Sequence, residues 1–294
     1  MRQLVYEAGV DGLILDRCVR DYEFNMHTRH FHRHYEIYYL SEGERFYFID
    51  KQTYLVKKGS LVFIDRNQIH RTGAVAGGQS YHDRILVSLD GDKFTPYLTL
   101  SGFQLERFFS RNYGVLELSP EDSAYVEQLL DSIADEILQE ASGYEFLARS
   151  RMLELLIFAS RRMSCQPAAA KREAVQTARH RKVDEVAGYI AAHYNSQESL
   201  DALARRFFVS KCYLSRIFKE VTGFTVNEYI SIHRIKQAQV LLASTDYNIT
   251  EIAEMLGYES ITYFEKVFKR YTETSPLKYR KRQQALAQTP SGQV

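Results

Sequence analysis

Cysteine is scarce in this 294-residue sequence. Its three residues, Cys18, Cys165 and Cys212, are odd in number and far apart, which argues against a disulfide framework and fits a reducing cytoplasm. Long apolar runs are missing as well. None approaches the roughly 18–20 residues that a membrane span needs. The opening stretch MRQLVYEAGVDGL lacks the basic-then-apolar order of a signal peptide, so neither membrane association nor export is expected. The fingerprints of a Ser-His-Asp hydrolase, a P-loop and a dinucleotide-binding fold do not appear, which leaves most familiar enzyme classes without support.

What is present suits two domains. The composition, 45% hydrophobic and 26% charged, allows each half a core of its own. The net charge of +1 is unevenly divided. Residues 180–284 hold 16 Lys and Arg against 12 Asp and Glu, leaving 22 against 25 elsewhere. A modestly basic C-terminal third beside a slightly acidic remainder suits a nucleic-acid-binding domain joined to a neutral one.

From about Cys18 to Leu89 the chain reads as short strands, Tyr35 to Leu40, Glu44 to Ile49, Tyr54 to Val56, Leu61 to Ile64 and Arg84 to Leu89. β-branched and aromatic residues fill them and Gly or polar breaks separate them, which predicts a sandwich or barrel. After Pro96 the pattern turns helical. Ser119-Pro120-Glu121-Asp122 is a helix start, and Val126, Leu129, Leu130, Ile133 and Ile137 follow at helical spacing. A second helix is expected from about Tyr144 to Met163. The pair either packs on the barrel or also forms a subunit interface. The stretch Gln166-Pro167-Ala168-Ala169-Ala170-Lys171-Arg172 has no apolar period and reads as a linker. The predicted domains are therefore 1–163, a linker 164–181, a helical domain 182–284, and a polar tail 285–294 that is expected to be disordered.

The C-terminal domain contains an internal duplication. At a shift of 50 residues Ser210 meets Ser260, Tyr213 meets Tyr263, Phe218 meets Phe268, Lys219 meets Lys269 and Thr222 meets Thr272. Upstream the shift is 49, so the second unit carries one extra residue in a turn that includes Gly257. Each unit reads as helix, tight turn, helix, with Ser199 and Ser210 as caps in the first, and Asn248 or Thr250 and then Ser260 in the second. Leu214, Ile217 and Phe218, like Phe264, Val267 and Phe268, form the inner stripe of each second helix. Ser210, Lys211, Cys212, Tyr213, Ser215, Arg216 and Lys219 remain for the outer face of the first. Ser260, Ile261, Thr262, Tyr263, Glu265, Lys266 and Lys269 hold the same places on the second. These fourteen are the candidate DNA-binding residues.

A helix from about Val226 to Ala243 separates the units, and at 1.5 Å per residue it spans roughly 27 Å. That approaches the ~34 Å between successive major-groove faces of B-DNA, so one chain could place two recognition helices in adjacent grooves of double-stranded DNA. Arg216 suits bidentate guanine readout. Glu265 would repel phosphate, so it either accepts from a cytosine amino group or points away.

Residues 183–282 resemble the DNA-binding domain of the AraC/XylS family of transcription regulators. The resemblance rests on Ser199-Leu200 through Leu203-Ala204, SKCYLSRIFKEVTG at Ser210 to Gly223, RIKQAQVLL at Arg234 to Leu242, and Ile249 to Arg280 ending in PLKYR. Two departures stand out. Glu273 occupies a position where the family usually has Gly, and Val226 one where Pro is common.

In the N-terminal half His30, His32 and His34 alternate and Glu36 continues their row, with His70 further on. HRHYEIYYLSEG followed by KKGSLVFIDRNQIHRT resembles a cupin barrel, which in this family commonly precedes the DNA-binding domain and holds an effector such as a sugar. The resemblance thus implies an α+β chain: an N-terminal cupin-like β-barrel with a helical hairpin, then an all-α domain with two helix-turn-helix motifs. His32, His34, Glu36, Tyr38, Phe46, Tyr47 and His70 are the candidate effector-binding residues, because aromatic faces and polar tips suit a sugar or related polar metabolite. No cofactor is expected and the protein is not expected to be an enzyme. The alternative is a metal-dependent cupin enzyme fused to a DNA-binding module, with His32, His34, Glu36 and His70 as metal ligands. Expected partners are double-stranded DNA, a small-molecule effector and a second copy of the chain, with RNA polymerase as a further contact and no membrane.

Overall fold

The computed structural model describes residues 1–25, 34–66, 68–75, 77–78, 80–98, 101–165 and 177–288. The chain divides into two compact units, 1–180 and 181–294. No helix among the described residues is long and apolar enough to cross a membrane.

The first unit opens with a hairpin of β1 (Arg2–Val10) and β2 (Leu13–Arg20). It continues through β3 (Tyr35–Glu42), β4 (Glu44–Ile49), β5 (Gln52–Lys57), β6 (Ser60–Ile64), β7 (His70–Gly73) and β8 (His82–Leu89), and β9 (Gly114–Glu117) follows later. One sheet has the order β1-β2-β8-β3-β6-β9 and the other β5-β4-β7, with antiparallel pairing throughout. This is the expected barrel with four more strands than the sequence named, β1, β2, β7 and β9. Asp11-Gly12, with Gly12 at φ 83°, turns β1 into β2, a two-residue hairpin signal upstream of the stretch read as strands. β9 falls within the region that reads as helical.

Both faces of the larger sheet are covered. One carries Tyr35, Ile37, Tyr39, Phe63, Ile85 and Val87 into a core shared with helices α1 (Gly91–Leu98), α2 (Leu105–Asn112), α3 (Pro120–Gln139) and α4 (Tyr144–Cys165). The other carries Tyr38, Leu40, Val62 and Ile64 towards Tyr47, Ile49 and Val56 of the smaller sheet. Helix α3 begins as its sequence predicts, with Pro120 in the first turn and the Ser119 hydroxyl accepting from the Asp122 N–H. The side chain of Arg17 pairs with Asp83 of the neighbouring β8 at 2.8 Å and ties the sheet to α3 through Glu127 at 3.0 Å and Asp131 at 3.2 Å.

The second unit is helical: α5 (Ala178–Ala192), α6 (Leu200–Arg206), α7 (Lys211–Thr222), α8 (Val226–Ser244), α9 (Ile249–Met255), α10 (Ile261–Thr272) and α11 (Pro276–Gln288). Helices α6 and α9 are both seven residues long, and α7 and α10 both twelve, as the duplication requires. Between them α8 runs for 19 residues, roughly 28 Å. Its start is fixed by a capping box of Thr225 and Glu228.

Candidate nucleic-acid interface and effector site

The two candidate recognition helices are built alike. The Ser210 hydroxyl accepts from the Tyr213 N–H at 3.2 Å, and Ser260 from Tyr263 at 3.3 Å, so each cap satisfies one orphan donor of the first turn. Leu214, Ile217 and Phe218, and Phe264, Val267 and Phe268, are buried. Each contributes roughly 1.5–3 kcal/mol to holding its helix in place. The opposite face is exposed at all of the expected positions except Ser215, which is half-buried. Lys211 pairs with Asp201 at 2.8 Å, and the Arg216 guanidinium lies 5.7 Å from the Tyr213 ring centroid. The sequence expectation for Asn248 or Thr250 resolves to Asn248, which forms a capping box with Glu251.

The turns of the two motifs differ by the predicted residue. In the second, Gly257 adopts φ 77°, and a Cβ there would come within 2.5 Å of the Asn195 carbonyl oxygen, so no side chain fits without movement. In the first, Phe208 takes the left-handed conformation at φ 55° with its side chain 94% exposed. The C-caps also differ: Gly223 (φ 82°) closes α7, whereas Glu273 (φ 60°) closes α10 in the same left-handed geometry.

Arg234 of α8 had no role in the sequence reading beyond its place in the RIKQA stretch. Its guanidinium donates to the carbonyls of Tyr194 (2.7 Å), Gly257 (2.9 Å) and Ser196 (3.0 Å) and lies over the Tyr258 ring. One side chain thus joins the end of α5, the middle of α8 and the turn of the second motif. Backbone carbonyl partners leave no mark in a sequence.

In the barrel, Glu36, Tyr38, Tyr47 and His70 are buried together. The Tyr47 hydroxyl donates to Glu36 Oε1 at 3.1 Å, and His70 Nε2 lies 3.6 Å from Glu36 Oε2 while its Nδ1 donates to the Gln68 carbonyl at 2.9 Å. Tyr38 meets Tyr47 edge-on with centroids 5.3 Å apart. Burial, with Glu36 close by, raises the Tyr47 hydroxyl well above the usual phenol range. Phe46 alternates to the other face of β4 and is absent from this cluster. His34 stands exposed on the bend before β3, and His30 and His32 lie outside the described residues. Of the described members of the metal quartet, Glu36 and His70 come together while His34 is exposed, and no group of three His, Cys, Asp or Glu side chains suited to a metal occurs among the described residues.

A second polar group, not foreseen from the sequence, lies beside the first. Arg20 of β2, Arg45 of β4, and His82 and Arg84 of β8 are all buried. Arg84 is paired with Asp16 at 2.5 Å. His82 accepts from Arg20 Nη1 at 3.5 Å and donates through Nδ1 to the Ser80 carbonyl. Burial, then Arg45, Arg20 and Arg84, pull its pKa down to about 4, so it is neutral at physiological pH. An arginine in a strand reads as a surface residue, which is why the sequence hid this group.

A helix-turn-helix domain model matches residues 203–282, and the model of the AraC-like ligand-binding domain matches residues 15–156. The chain belongs to the AraC family. Among similar AraC-type proteins, the Msm operon regulatory protein of Streptococcus mutans is 25% identical over 276 residues, covering 94% of this chain and 93% of its own. The HTH-type transcriptional regulator YijO of Escherichia coli is 28% identical over 49% of this chain and 51% of its own. The melibiose operon regulatory protein of Escherichia coli is 33% identical over 37% of this chain and 36% of its own. The chain thus spans about half the length of YijO and about a third of the melibiose regulator. As an AraC-family member the chain carries a helix-turn-helix domain and an AraC-like ligand-binding domain, and the relatives it matches are named as transcriptional regulators.

Proposed function

We propose that this AraC-family protein binds its operator through α7 and α10, placed in successive major grooves, and that occupancy of the barrel by a sugar or related polar metabolite controls that binding. The observation that carries the reading is the repeated Ser-capped twelve-residue helix, with Lys211, Arg216 and Lys219 on the exposed face of one copy and Lys266 and Lys269 on that of the other. Arg216 reads a base edge, whereas the lysines and the capped N-termini hold phosphates. The names of the melibiose and Msm operon regulators support the sugar class.

The protein works as a homodimer in the cytoplasm and contacts RNA polymerase. Support for the dimer comes from Leu138, Phe146 and Leu147, which stay exposed around the α3–α4 turn. Residues 164–181 act as the linker between the two activities. Effector contacts that differ between two arrangements of the dimer supply the coupling free energy.

The test is salt-dependent binding to the DNA upstream of the protein's own coding sequence. Arg216→Ala is expected to weaken specific binding by about 1–3 kcal/mol, and Lys266→Ala to weaken binding to all sequences and flatten the salt slope by about 1. Equal affinity for all DNA, unchanged by either substitution, would refute the assignment.

A further inference from the structure

Three arginines enter the barrel interior, and among the described residues only Arg84 is paired with a carboxylate. Arg20 and Arg45 form no ion pair with any described residue, although they are 7% and 2% exposed. Their guanidinium carbons lie 4.2 and 5.8 Å from the centroid of the same Phe24 ring, so the two cations are at most about 10 Å apart. The Nε of Arg20 is buried with no hydrogen-bond partner among the described residues. Arg45 donates to the Thr72 hydroxyl at 3.3 Å and to the Phe24 carbonyl. These are neutral acceptors. The neighbouring imidazole, His82, is held neutral and supplies only an acceptor.

The energetics of this arrangement are lopsided. Burying a guanidinium is costly unless a counter-charge compensates. A cation–π contact and a neutral acceptor each return only part of that cost. Two like charges add their repulsion, and burial, with Arg20 nearby, pulls the Arg45 pKa below its usual value even though Tyr38, Tyr47 and Glu23 act the other way. A buried Arg20 Nε with no partner, beside a second buried guanidinium that forms no ion pair with a described residue, is what an oxyanion completes. It would accept from both guanidinium groups through short charge-assisted bonds. A neutral sugar would leave the charges unbalanced.

We propose that the effector of the barrel is an anion, a small metabolite whose carboxylate or phosphate group is held between Arg20 and Arg45 with Tyr38 beside it. The inference rests on the barrel being the ligand-binding half and narrows the polar metabolite to a negatively charged one. His82 keeps Arg20 in place as a positioning residue and, being neutral, adds no further positive charge to those of the arginines.

The experiment uses the full chain and inorganic phosphate and acetate as probes, titrated at constant ionic strength with chloride as the replacement ion. Thermal unfolding of the wild type should show a saturable stabilisation by one probe or both. Arg20→Met and Arg45→Met should each weaken the apparent affinity at least tenfold, while Arg20→Lys retains most of it. Without the probe the methionine variants should unfold no earlier than wild type, because each removes an uncompensated buried charge. Stronger stabilisation by acetate marks a carboxylate effector, and stronger stabilisation by phosphate a phosphate ester. A wild type indifferent to both probes, or a stabilisation that the methionine variants share in full, would overturn the proposal. Methionine variants that unfold well below wild type without the probe would also overturn it, because the arginines would then be structural. Upstream-DNA binding measured on the same samples separates the two readings. If it persists while the anion effect is missing, only the anionic effector fails.

Discussion

Replacing Arg234 by methionine tests whether one side chain holds the second helix-turn-helix motif against the helix between the units. Methionine keeps the length of the stem and removes all three donors. Two of the carbonyls, those of Tyr194 and Gly257, accept in part-buried positions, whereas that of Ser196 lies at the surface and can take water instead. At roughly 1.5–3 kcal/mol for a hydrogen bond to a charged group, the two part-buried bonds are worth about 3–6 kcal/mol. The half-buried guanidinium regains hydration in the unfolded chain, which brings the net loss to about 3 kcal/mol. Against a domain stability of about 5–15 kcal/mol this is large. It corresponds to a fall in midpoint of roughly 12–20 °C for a unit of this size. Circular dichroism at 222 nm on the full chain follows the helical unit, and calorimetry gives the midpoint. Arg234→Lys should lose about 2 kcal/mol, since one ammonium cannot fork to three carbonyls. A loss below about 0.5 kcal/mol in the methionine variant would refute the reasoning.

Two further predictions concern a cap and a proton. Glu273→Gly should stabilise the helical unit by about 0.5–1 kcal/mol in a urea titration, because it removes a side chain from the left-handed conformation at φ 60°. Gly223→Ala should cost a similar amount, and a destabilising Glu273→Gly would contradict the reading of this C-cap. Lowering the pH tests His82. Its folded pKa of about 4 lies below the ordinary value of 6.5, so the unfolded chain takes up a proton first. The stability contributed by keeping the imidazole neutral is complete above pH 6.5 and is lost as the pH falls towards 4, reaching about 2–3 kcal/mol at pH 4.5. His82→Asn should flatten that limb, whereas stability profiles parallel to wild type between pH 7.5 and 4.5 would exclude it.

The duplicated motif was legible because its determinants are local. Ser210, Ser260 and the buried triads recur at fixed spacing, and a cap acts only on its own first turn. The strands β3 to β6 were also legible from their β-branched and aromatic content. Which side each residue faces was not. All but the last residue of β3 is buried, since one face meets the helices and the other the barrel interior, and so the alternation of polar and apolar residues that marks an exposed sheet is missing. Phe46 and Tyr47 are equally apolar neighbours in β4, and only the pairing of β4 with β5 and β7 tells them apart. β1 escaped notice for the opposite reason. It is an edge strand whose first four residues are exposed, so nothing in its pattern marks a core.

The burial of β3 on both sides has a consequence for signalling. Glu36 and Tyr38 face the barrel interior, while Tyr35 stacks on Phe109 of α2 at 4.4 Å and the Tyr39 hydroxyl lies 2.8 Å from Ser123 Oγ on α3. The two sets of side chains hang from one backbone ribbon and cannot shift independently. Pressure on the inner set is therefore read by the helices at once, as a beam loaded from below lifts what rests upon it. A shift of the inner set would thus reach α2 and α3 through the strand that carries both.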